Sequence, residues 1–574
     1  MRRRLALAAL PAIALATVGA ANPARYDVVI RGGTIYDGSG GKPFTGDVAI
    51  KGDRIVAIAP RIDARGTTEV DAAGKAVAPG FVNMLAHPEE SLLVDGRALS
   101  DLAQGVTLEV MGEISMGPLS PAMKREMTEQ QGDVRYPVDW TTLGQYLDRL
   151  GRRAIAPNVA SFVGAGTVRQ AVIGSDDVQP TPAQLARMQA LVRQAMEEGA
   201  LGLTDALIYT PATFARTPEL IALAKVSAQC GGIYTVHMRS EGDRIEQAVQ
   251  ETIDIAEASG APAEIYHFKQ AGKANWGKFD RVVAMIEAAR ARGTRITADM
   301  YTYTAGATGL DAAMPSWVQA GGTQAWIARL KDPATRAKVA AAMREAHPDS
   351  WENFFAGAGP EGMLLLAFKN PSLKPLTGKT LAEVARMRGK SPEETAMDLV
   401  VEDGTRVGVA YFLMSEENVR RSIRLPWMSF GSDEAAPAPE GAFLLAKNHP
   451  RAYGNFARLL GHYVRDTQDI TLADAVRRLT SLPADNLSLA DRGRLRQGNF
   501  ADLVVFDPAK ISDHATFEKP AQLATGVEQV FVNGGWALRD GKATGAATGR
   551  IVKGRAALPG GGCRPTAAGW RWSR

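Results

Sequence analysis

Two short apolar runs near the middle of the chain each end in a histidine: Gly232-Ile233-Tyr234-Thr235-Val236-His237 and Glu264-Ile265-Tyr266-His267. The two histidines are 267 − 237 = 30 residues apart, about the length of one strand–helix–strand unit. Successive units of this kind place the ends of parallel strands side by side, on the face where barrel active sites form. We therefore predict that His237 and His267 are neighbours at the carboxyl edge of a parallel sheet.

The same alternation of strand-like and helical segments extends through the whole middle of the chain. Its apolar runs end near Met84, Met111, Gly164, Ala206, His237, His267, Met300 and Ser432. Eight such runs fit a (β/α)8 barrel better than a doubly wound sheet. We predict an α/β fold in which residues 79–485 form a TIM-type barrel, with a helical insertion over about 305–400 near the barrel mouth.

Short alternating runs with frequent turns occupy both ends of this region, at residues 22–78 and 486–555. Short alternating runs separated by turns are typical of small antiparallel β structure. We predict that the two segments together form one small β-sandwich domain. Residues 556–574 are rich in Gly, Pro and Arg, and we predict that this tail is disordered.

Residues 1–21 have the pattern of a secretory signal peptide. Arg2-Arg3-Arg4 precede an apolar run, Leu5–Ala16, and small residues follow as far as Ala21. A lone membrane anchor is the alternative, but this run is short for a span and contains Pro11. We predict an exported protein, periplasmic or secreted, with no membrane anchor after cleavage.

Composition narrows the function classes. The formal charge of the chain is +4, and removing three signal arginines leaves 4 − 3 = +1, so nothing favours a nucleic-acid partner. The only cysteines are Cys230 and Cys563, which gives no disulfide framework and no cysteine-type zinc cluster. We predict that Cys230 is a buried thiol and that Cys563 lies in the flexible tail.

The strand-end histidines and one carboxylate indicate a metal site. Neutral imidazoles on neighbouring strands suit a zinc-type ion, and Asp433, which ends the run Trp427 to Ser432, suits the base of a hydrolytic reaction. One such histidine alone would be better explained as a buried, hydrogen-bonded side chain. Asp433 could instead cap the segment that follows it. The combination favours a metal-dependent hydrolase.

Two further residues are candidate metal ligands. His87 follows the first predicted barrel strand and is either a weak ligand or a loop residue. Glu113 follows the second strand, where a carboxylate can join a metal shell, although a surface glutamate is the competing interpretation.

Cations and phenols near the same edge are candidates for binding a substrate. Lys269 should point the same way as His267, two residues before it. Arg451 could form a bidentate pair with a carboxylate, and Tyr209 and Tyr301 could donate to a carbonyl oxygen or an oxyanion. Each could equally be a surface cation or a rim aromatic. No nucleotide-binding glycine loop and no Gly-x-Ser-x-Gly elbow is evident.

Several segments together resemble a known group of enzymes. Three of them resemble the amidohydrolase superfamily: Tyr26–Gly33, Val77–Phe81 and Gly498–Phe506. Four more resemble the N-acyl-D-amino-acid deacylases within it: Thr235–Glu241, His267–Lys269, Ala298–Tyr303 and His449–Gly454. The resemblance covers nearly the whole chain after the signal peptide.

The resemblance implies a function and a role for each candidate residue. His237 and His267 would hold a zinc ion, and Asp433 would be the general base for water activated at the metal. The remaining candidates, Lys269, Tyr209, Tyr301 and Arg451, would bind the substrate carboxylate or polarise its amide. The implied reaction is hydrolysis of the amide bond of a small-molecule substrate, an N-acyl-D-amino acid or a closely related N-acyl amino acid.

The chain departs from the family pattern in three places. The His-x-His after the first strand is Leu85-Ala86-His87, and the cysteine after the second is absent, with Glu113 or Ile114 in that region. The histidine of the Gly-His-x-x-x-Arg loop is Ala165. We therefore predict one zinc ion per chain. Two alternatives stay open: hydrolysis of a cyclic amide or dipeptide on the same fold, or a degenerate barrel that binds ligands without turnover.

Overall fold

A computed structural model of the protein describes residues 26–348 and 350–564. The predicted signal peptide and residues 565–574 of the predicted tail lie outside these ranges. None of the helices in the described part of the chain combines the length and apolarity needed to cross a bilayer.

The described residues form a mixed α/β structure. The strands are β1 Tyr26–Ile35, β2 Phe44–Lys51, β3 Arg54–Ala59, β4 Gly66–Asp71, β5 Ala76–Pro79, β6 Phe81–Ala86, β7 Val106–Met111, β8 Asn158–Ser161, β9 Val163–Gly164, β10 Gly202–Ala206, β11 Ile233–His237, β12 Ala263–Ile265, β13 Ile296–Met300, β14 Gly306–Gly309, β15 Met363–Ala367, β16 Gly408–Tyr411, β17 Met428–Phe430, β18 Leu503–Phe506, β19 Val527–Val532, β20 Gly535–Arg539 and β21 Lys542–Ala543. The α-helices are α1 Ser91–Val94, α2 Leu99–Leu102, α3 Pro121–Gln130, α4 Leu143–Arg152, α5 Ala165–Ile173, α6 Pro182–Glu198, α7 Thr217–Gln229, α8 Ile245–Ser259, α9 Phe279–Ala291, α10 Ser316–Gln319, α11 Thr323–Leu330, α12 Pro333–Met343, α13 Phe354–Ala358, α14 Leu381–Arg388, α15 Pro392–Asp403, α16 Glu416–Ile423, α17 Arg451–Arg458, α18 Leu472–Leu479 and α19 Ser481–Asn486.

Two parallel sheets lie at the centre. One has the strand order β17-β13-β12-β11-β10-β9 and the other the order β6-β7-β8. Nearly every residue of these strands is buried, because helices such as α7, α8 and α9 cover the sheet between successive strands. The predicted α/β fold with parallel strands is confirmed.

The two sheets meet at two points. Strand β9 follows β8 after the single residue Phe162, and on the other side the Asp433 N–H donates to the Leu85 carbonyl at 2.9 Å. The Ser432 N–H also donates to the side-chain oxygen of Asn83, at 2.8 Å. The strand pairing itself stops at both points, so the observed architecture is two parallel sheets, and the closed barrel stays a prediction.

A nine-stranded sheet is built from both ends of the chain. Its order is β21-β20-β19-β18-β5-β1-β2-β3, with β4 paired to β1. The ends join where β18 runs antiparallel to β5, with Leu503 opposite Pro79. A domain that combines residues from both termini is therefore observed, while its division into the two layers of a sandwich stays a prediction.

The insertion between β13 and β17 has a hydrophobic core of its own. It contains helices α10 to α15, but also a three-stranded antiparallel sheet with the order β14-β16-β15. The insertion predicted over about 305–400 has the expected helices, but it also contains this sheet, which continues to Tyr411. These strands have four or five residues each, too short for a periodic pattern to distinguish them from loops.

The final segment of the chain runs along the starts of several parallel strands. The Val552 N–H donates to the Val159 carbonyl at 2.8 Å, and the Gly554 N–H donates to the Gly199 carbonyl at 3.0 Å. A disulfide then links Cys563 to Cys230 at the end of α7. We call residues 549–564 the C-terminal strap.

The strap corrects two expectations. Cys230 is not a free buried thiol, and the region around Cys563 is not a loose tail, because the two are bonded across 333 residues of sequence. Such a pairing is set by the fold and cannot be inferred from the spacing of two cysteines. The predicted tail therefore retains ordered structure as far as Arg564.

Replacing Cys563 by serine is expected to destabilise the protein by about 2–4 kcal/mol, because the disulfide restricts the unfolded chain over a long loop. The measurement is urea unfolding of the oxidised variant and wild type, with reduced wild type as the control. Reduced wild type should unfold at the same urea concentration as the variant. Equal midpoints for all three samples would contradict this prediction.

Candidate active site

A cavity of about 410 Å³ opens at the carboxyl ends of the parallel strands. Strand ends supply its floor, and residues 306–308 of β14 and Phe354 of the insertion supply part of its wall. Eight of the nine candidate site residues line it, seven of them being His87, Glu113, Tyr209, His237, His267, Lys269 and Tyr301. Asp433 lines it as well, whereas Arg451 lies behind Asp433.

Glu113 joins the two strand-end histidines. Its Oε1 atom lies 3.0 Å from Nδ1 of His237 and 2.7 Å from Nε2 of His267. The imidazole centroids are 4.5 Å apart, and both rings are buried. The side-by-side arrangement expected from the 30-residue spacing is therefore observed, with a carboxylate from the end of β7 between the rings.

Three of these residues have a left-handed backbone. The values of φ are +63° at Glu113, +36° at His267 and +52° at Asp433, a region that side chains with a Cβ atom rarely adopt. Such conformations persist only where surrounding structure enforces them, and they concentrate at functional sites. Here they lie directly after β7, β12 and β17, where each turns a polar side chain toward the cavity.

Asp433 is held on two sides. Its Oδ1 lies 3.1 Å from Nε2 of His87, and its Oδ2 lies 2.8 Å from Nη1 of Arg451. Arg451 also donates from Nη2 to the Asp433 carbonyl at 2.6 Å. Burial would raise the pKa of Asp433, but Arg451 and His267 outweigh it and lower that pKa to about 2. The carboxylate is therefore ionised and able to accept a proton.

Glu241 is a buried carboxylate behind both imidazoles. Its Oε1 lies 3.0 Å from Nδ1 of His267, and its Oε2 lies 3.6 Å from Nε2 of His237. Lys269 donates to Oε1 at 2.6 Å. Burial opposes ionisation, but Lys269 and the two histidines lower the pKa of Glu241 to about 2. The sequence analysis missed Glu241, although its position four residues after His237 was a usable signal.

Among the predicted substrate-binding residues, one has a hydroxyl without a hydrogen-bond partner in the described chain, and three are already engaged by other side chains. Tyr301 presents a buried hydroxyl that has no hydrogen-bond partner among residues 26–348 and 350–564. Tyr209 donates to Thr308 at 2.8 Å, and Lys269 is engaged by Glu241. Arg451 contacts Asp433 and stacks 4.4 Å from the centroid of the Tyr301 ring. A direct contact between Arg451 and a substrate therefore stays a prediction.

Two more carboxylates at the cavity were missed. Glu89 is only 4% exposed, and one of its carboxylate oxygens has no hydrogen-bond partner in the part of the chain that the structure describes. Burial raises the pKa of Glu89 to about 7. The neighbouring Glu90 accepts a hydrogen bond from the Tyr136 hydroxyl at 2.6 Å. Both lie in a loop after β6, where no sequence pattern distinguishes them from surface acids.

Two overlapping groups of side chains could hold a divalent cation. One contains Glu113, His237 and His267, and the other contains His87, Glu113 and Asp433. In each group the potential ligand atoms lie within 4.8 Å of one another. Two imidazole nitrogens and a carboxylate oxygen form a typical zinc donor set, so the first group fits such an ion.

Comparison with known proteins agrees with this geometry. Residues 68–536 match the amidohydrolase family. The D-aminoacylase of Alcaligenes xylosoxydans xylosoxydans is 34% identical over 532 residues, which cover 92% of this chain and 97% of that protein. The chain belongs to the amidohydrolase family. The resemblance drawn from its sequence motifs is thereby confirmed.

Two solved structures extend the comparison of this amidohydrolase. A D-aminoacylase with a binuclear metal centre, for which one-metal activation and second-metal attenuation are described, has a TM-score of 0.77 at 32% identity. The N-acyl-D-glutamate deacylase of Bordetella bronchiseptica, in complex with zinc and a phosphonate inhibitor, has a TM-score of 0.75 at 28% identity. Each comparison covers 92% of this chain and all of the other.

The departures from the family pattern have structural counterparts in this amidohydrolase. Ala165 begins α5, and the arginine of the same loop, Arg169, is buried in an ion pair with Glu219 at 2.5 Å. Leu85 is buried, and its carbonyl accepts the Asp433 N–H. The altered loop positions are thus packed into the fold, and His87 is the residue of the first-strand motif that reaches Asp433.

Replacing Glu241 by glutamine in this amidohydrolase is expected to weaken zinc binding by about 10–100-fold, because a carboxylate that accepts from a ligating imidazole fixes its orientation and tautomer. Competition with a chromogenic chelator measures the affinity. Glu264→Gln is the matched control, since Glu264 is also buried but contacts Thr297 and Ser429 instead of the histidines. Equal zinc affinity in Glu241→Gln and wild type would contradict this role.

Proposed function

We propose that this amidohydrolase is a metal-dependent hydrolase of N-acyl-D-amino acids. The observation that carries the proposal is the convergence of Glu113, His237 and His267 in a cavity where a carboxylate oxygen of the ionised Asp433 lies within 4.8 Å of one of Glu113. The identity to D-aminoacylase over nearly the whole chain supports the same bond and the same substrate class.

We propose one zinc ion per chain, held by Glu113, His237 and His267. When bound, such an ion lowers the pKa of water and polarises a carbonyl group. The second ligand group is less suited to a cation, because Asp433 already faces the guanidinium of Arg451 at 2.8 Å. The positive charge that a second ion would bring to this carboxylate is thus supplied by the protein.

Asp433 is proposed to move the protons of the reaction. Its carboxylate takes a proton from the attacking water and later gives it to the nitrogen of the leaving amino acid. His87 and Arg451 hold this carboxylate in place at 3.1 and 2.8 Å. The Tyr301 hydroxyl, buried without a partner among the described residues, is positioned to donate to the acyl oxygen as negative charge develops there.

We further propose that the two parallel sheets are parts of one closed barrel, which has eight strands when β8 and β9 are counted as one strand interrupted at Phe162. The hydrogen bond from Asp433 to Leu85 and the direct succession of β8 and β9 support this closure. A sandwich arrangement of the nine-stranded terminal sheet is also proposed, because consecutive residues of β1 and β2 are buried and both faces of these strands are therefore covered.

Export is also a proposal. The basic and apolar pattern of residues 1–21 supports it, and so does the disulfide between Cys230 and Cys563. Disulfides of this kind persist in oxidising compartments and are rare in the cytosol. We propose a periplasmic or secreted location.

A substrate panel tests the function. Purified zinc-loaded protein is assayed with N-acetyl-D-methionine, its L enantiomer, a hydantoin and a D-containing dipeptide. Hydrolysis of the N-acetyl-D-amino acid with at least tenfold preference over the other three is the expected result. A preference for the hydantoin or the dipeptide would favour the alternative amidohydrolase reactions, and binding without hydrolysis of any compound would favour a degenerate barrel.

A further inference from the structure

Part of the cavity lining is not used by the proposed chemistry. This part has an apolar wall, with Met116, Met127 and Val134 among the lining residues. Glu89 and Glu90 line the same cavity. An aliphatic chain suits the apolar wall, but an acidic pair at its edge needs a further explanation.

The other acidic side chains of the cavity already face positive or imidazole groups. These pairs are Glu241 with Lys269, Asp433 with Arg451, and Glu113 with His237 and His267. Glu89 interacts electrostatically with the His87 imidazole, but neither Glu89 nor Glu90 forms an ion pair with a lysine or arginine within residues 26–348 and 350–564. A zinc ion at Glu113 would leave this imbalance in place.

Glu89 provides stronger evidence for a ligand than Glu90 does. Its side chain is 4% exposed, it lines the cavity, and one carboxylate oxygen has no partner in the described chain. Burying an unpartnered carboxyl group costs free energy, so it persists where a ligand supplies the missing partner. Glu90 is fixed beside it by the Tyr136 hydroxyl, at 2.6 Å.

We propose that Glu89 and Glu90 bind an ammonium or guanidinium group at the end of an aliphatic chain of the substrate. This inference rests on the proposed function, because it names the substrate class of the same cavity. The aliphatic part would pack on Met116, Met127 and Val134, and the cation would pair with the carboxylate of Glu89. The cation belongs either to the amino acid, as in D-arginine, or to the acyl group.

Matched substrates differing only in charge test the inference. N-acetyl-D-arginine is compared with N-acetyl-D-citrulline, and N-(6-aminohexanoyl)-D-leucine with N-heptanoyl-D-leucine. In wild type, kcat/KM is expected to favour the charged member of one pair by roughly tenfold or more, as a buried charge-assisted contact provides. The pair that shows the preference identifies which part of the substrate carries the cation.

The variant Glu89→Gln keeps the shape of the side chain and removes its charge. The preference for the charged substrate should fall roughly tenfold, whereas Asp148→Asn, on the exposed face of α4, should keep it. Direct binding of both members of each pair to zinc-loaded Asp433→Asn, by calorimetry, measures the same preference without turnover.

The outcomes separate the inference from the proposed function. Hydrolysis of the neutral substrates with no preference for charge in either pair would overturn the cation subsite and leave the hydrolase function standing. A preference that survives in Glu89→Gln would overturn the role of Glu89. Failure to hydrolyse any N-acyl-D-amino acid would overturn the proposed function and the subsite with it.

Discussion

Replacing His237 by alanine is expected to remove both the bound zinc and the amidase activity. His237 is one of the three proposed ligands. Its Nδ1 faces Glu113, and its Nε2 faces Glu241. Losing a direct ligand should weaken metal binding by more than the roughly 10–100-fold that loss of an outer partner causes. Metal analysis after dialysis should give about one zinc per wild-type chain and almost none in the variant.

His514→Ala is the control for this experiment. His514 is exposed in the terminal region and contacts only Thr525 among the hydrogen bonds of its ring in the described chain, so its loss should change neither zinc content nor turnover. If His237→Ala kept a full complement of zinc and wild-type hydrolysis, the proposed metal site would be wrong.

Replacing Asp433 by asparagine is expected to lower kcat/KM by about 10²–10⁴-fold while zinc remains bound. The amide cannot accept the proton of the attacking water, yet Asp433 is not among the three proposed zinc ligands. Steady-state kinetics and metal analysis on the same preparation separate these two effects.

Asp502→Asn is a matched control, because Asp502 forms a buried ion pair with Arg492 as Asp433 does with Arg451, but in the terminal region. That variant should lose stability and keep its turnover per folded molecule. A kcat/KM for Asp433→Asn within tenfold of wild type would argue against its role as the general base.

Local sequence patterns correctly predicted the features that depend only on residues close together in the sequence. Buried parallel strands are continuous apolar runs, so the strand ends at Ala206, His237 and Met300 coincide with the observed ends of β10, β11 and β13. The repeat length of one strand–helix unit then placed His237 beside His267. These inferences needed no information about distant parts of the chain.

The features that were missed depend on contacts across the chain. Cys230 meets Cys563 only because the last segment returns to the start of the parallel strands, 333 residues later. Glu89 acquires its significance from burial, and an acidic residue in a loop is indistinguishable from a solvated one before the fold is known. The antiparallel sheet of the insertion was missed because its strands are too short for a period to show.

The C-terminal strap lies at the amino ends of the strands, and the cavity lies at their carboxyl ends. The segment that we expect to stabilise the fold and the residues that we expect to carry the chemistry therefore lie at opposite ends of the parallel strands. Stiffening residues 549–564, or grafting a carrier beyond them, should prolong the working life of the catalyst at a fixed turnover number. None of the strap residues lines the cavity, so substitutions there leave the lining of the cavity unchanged.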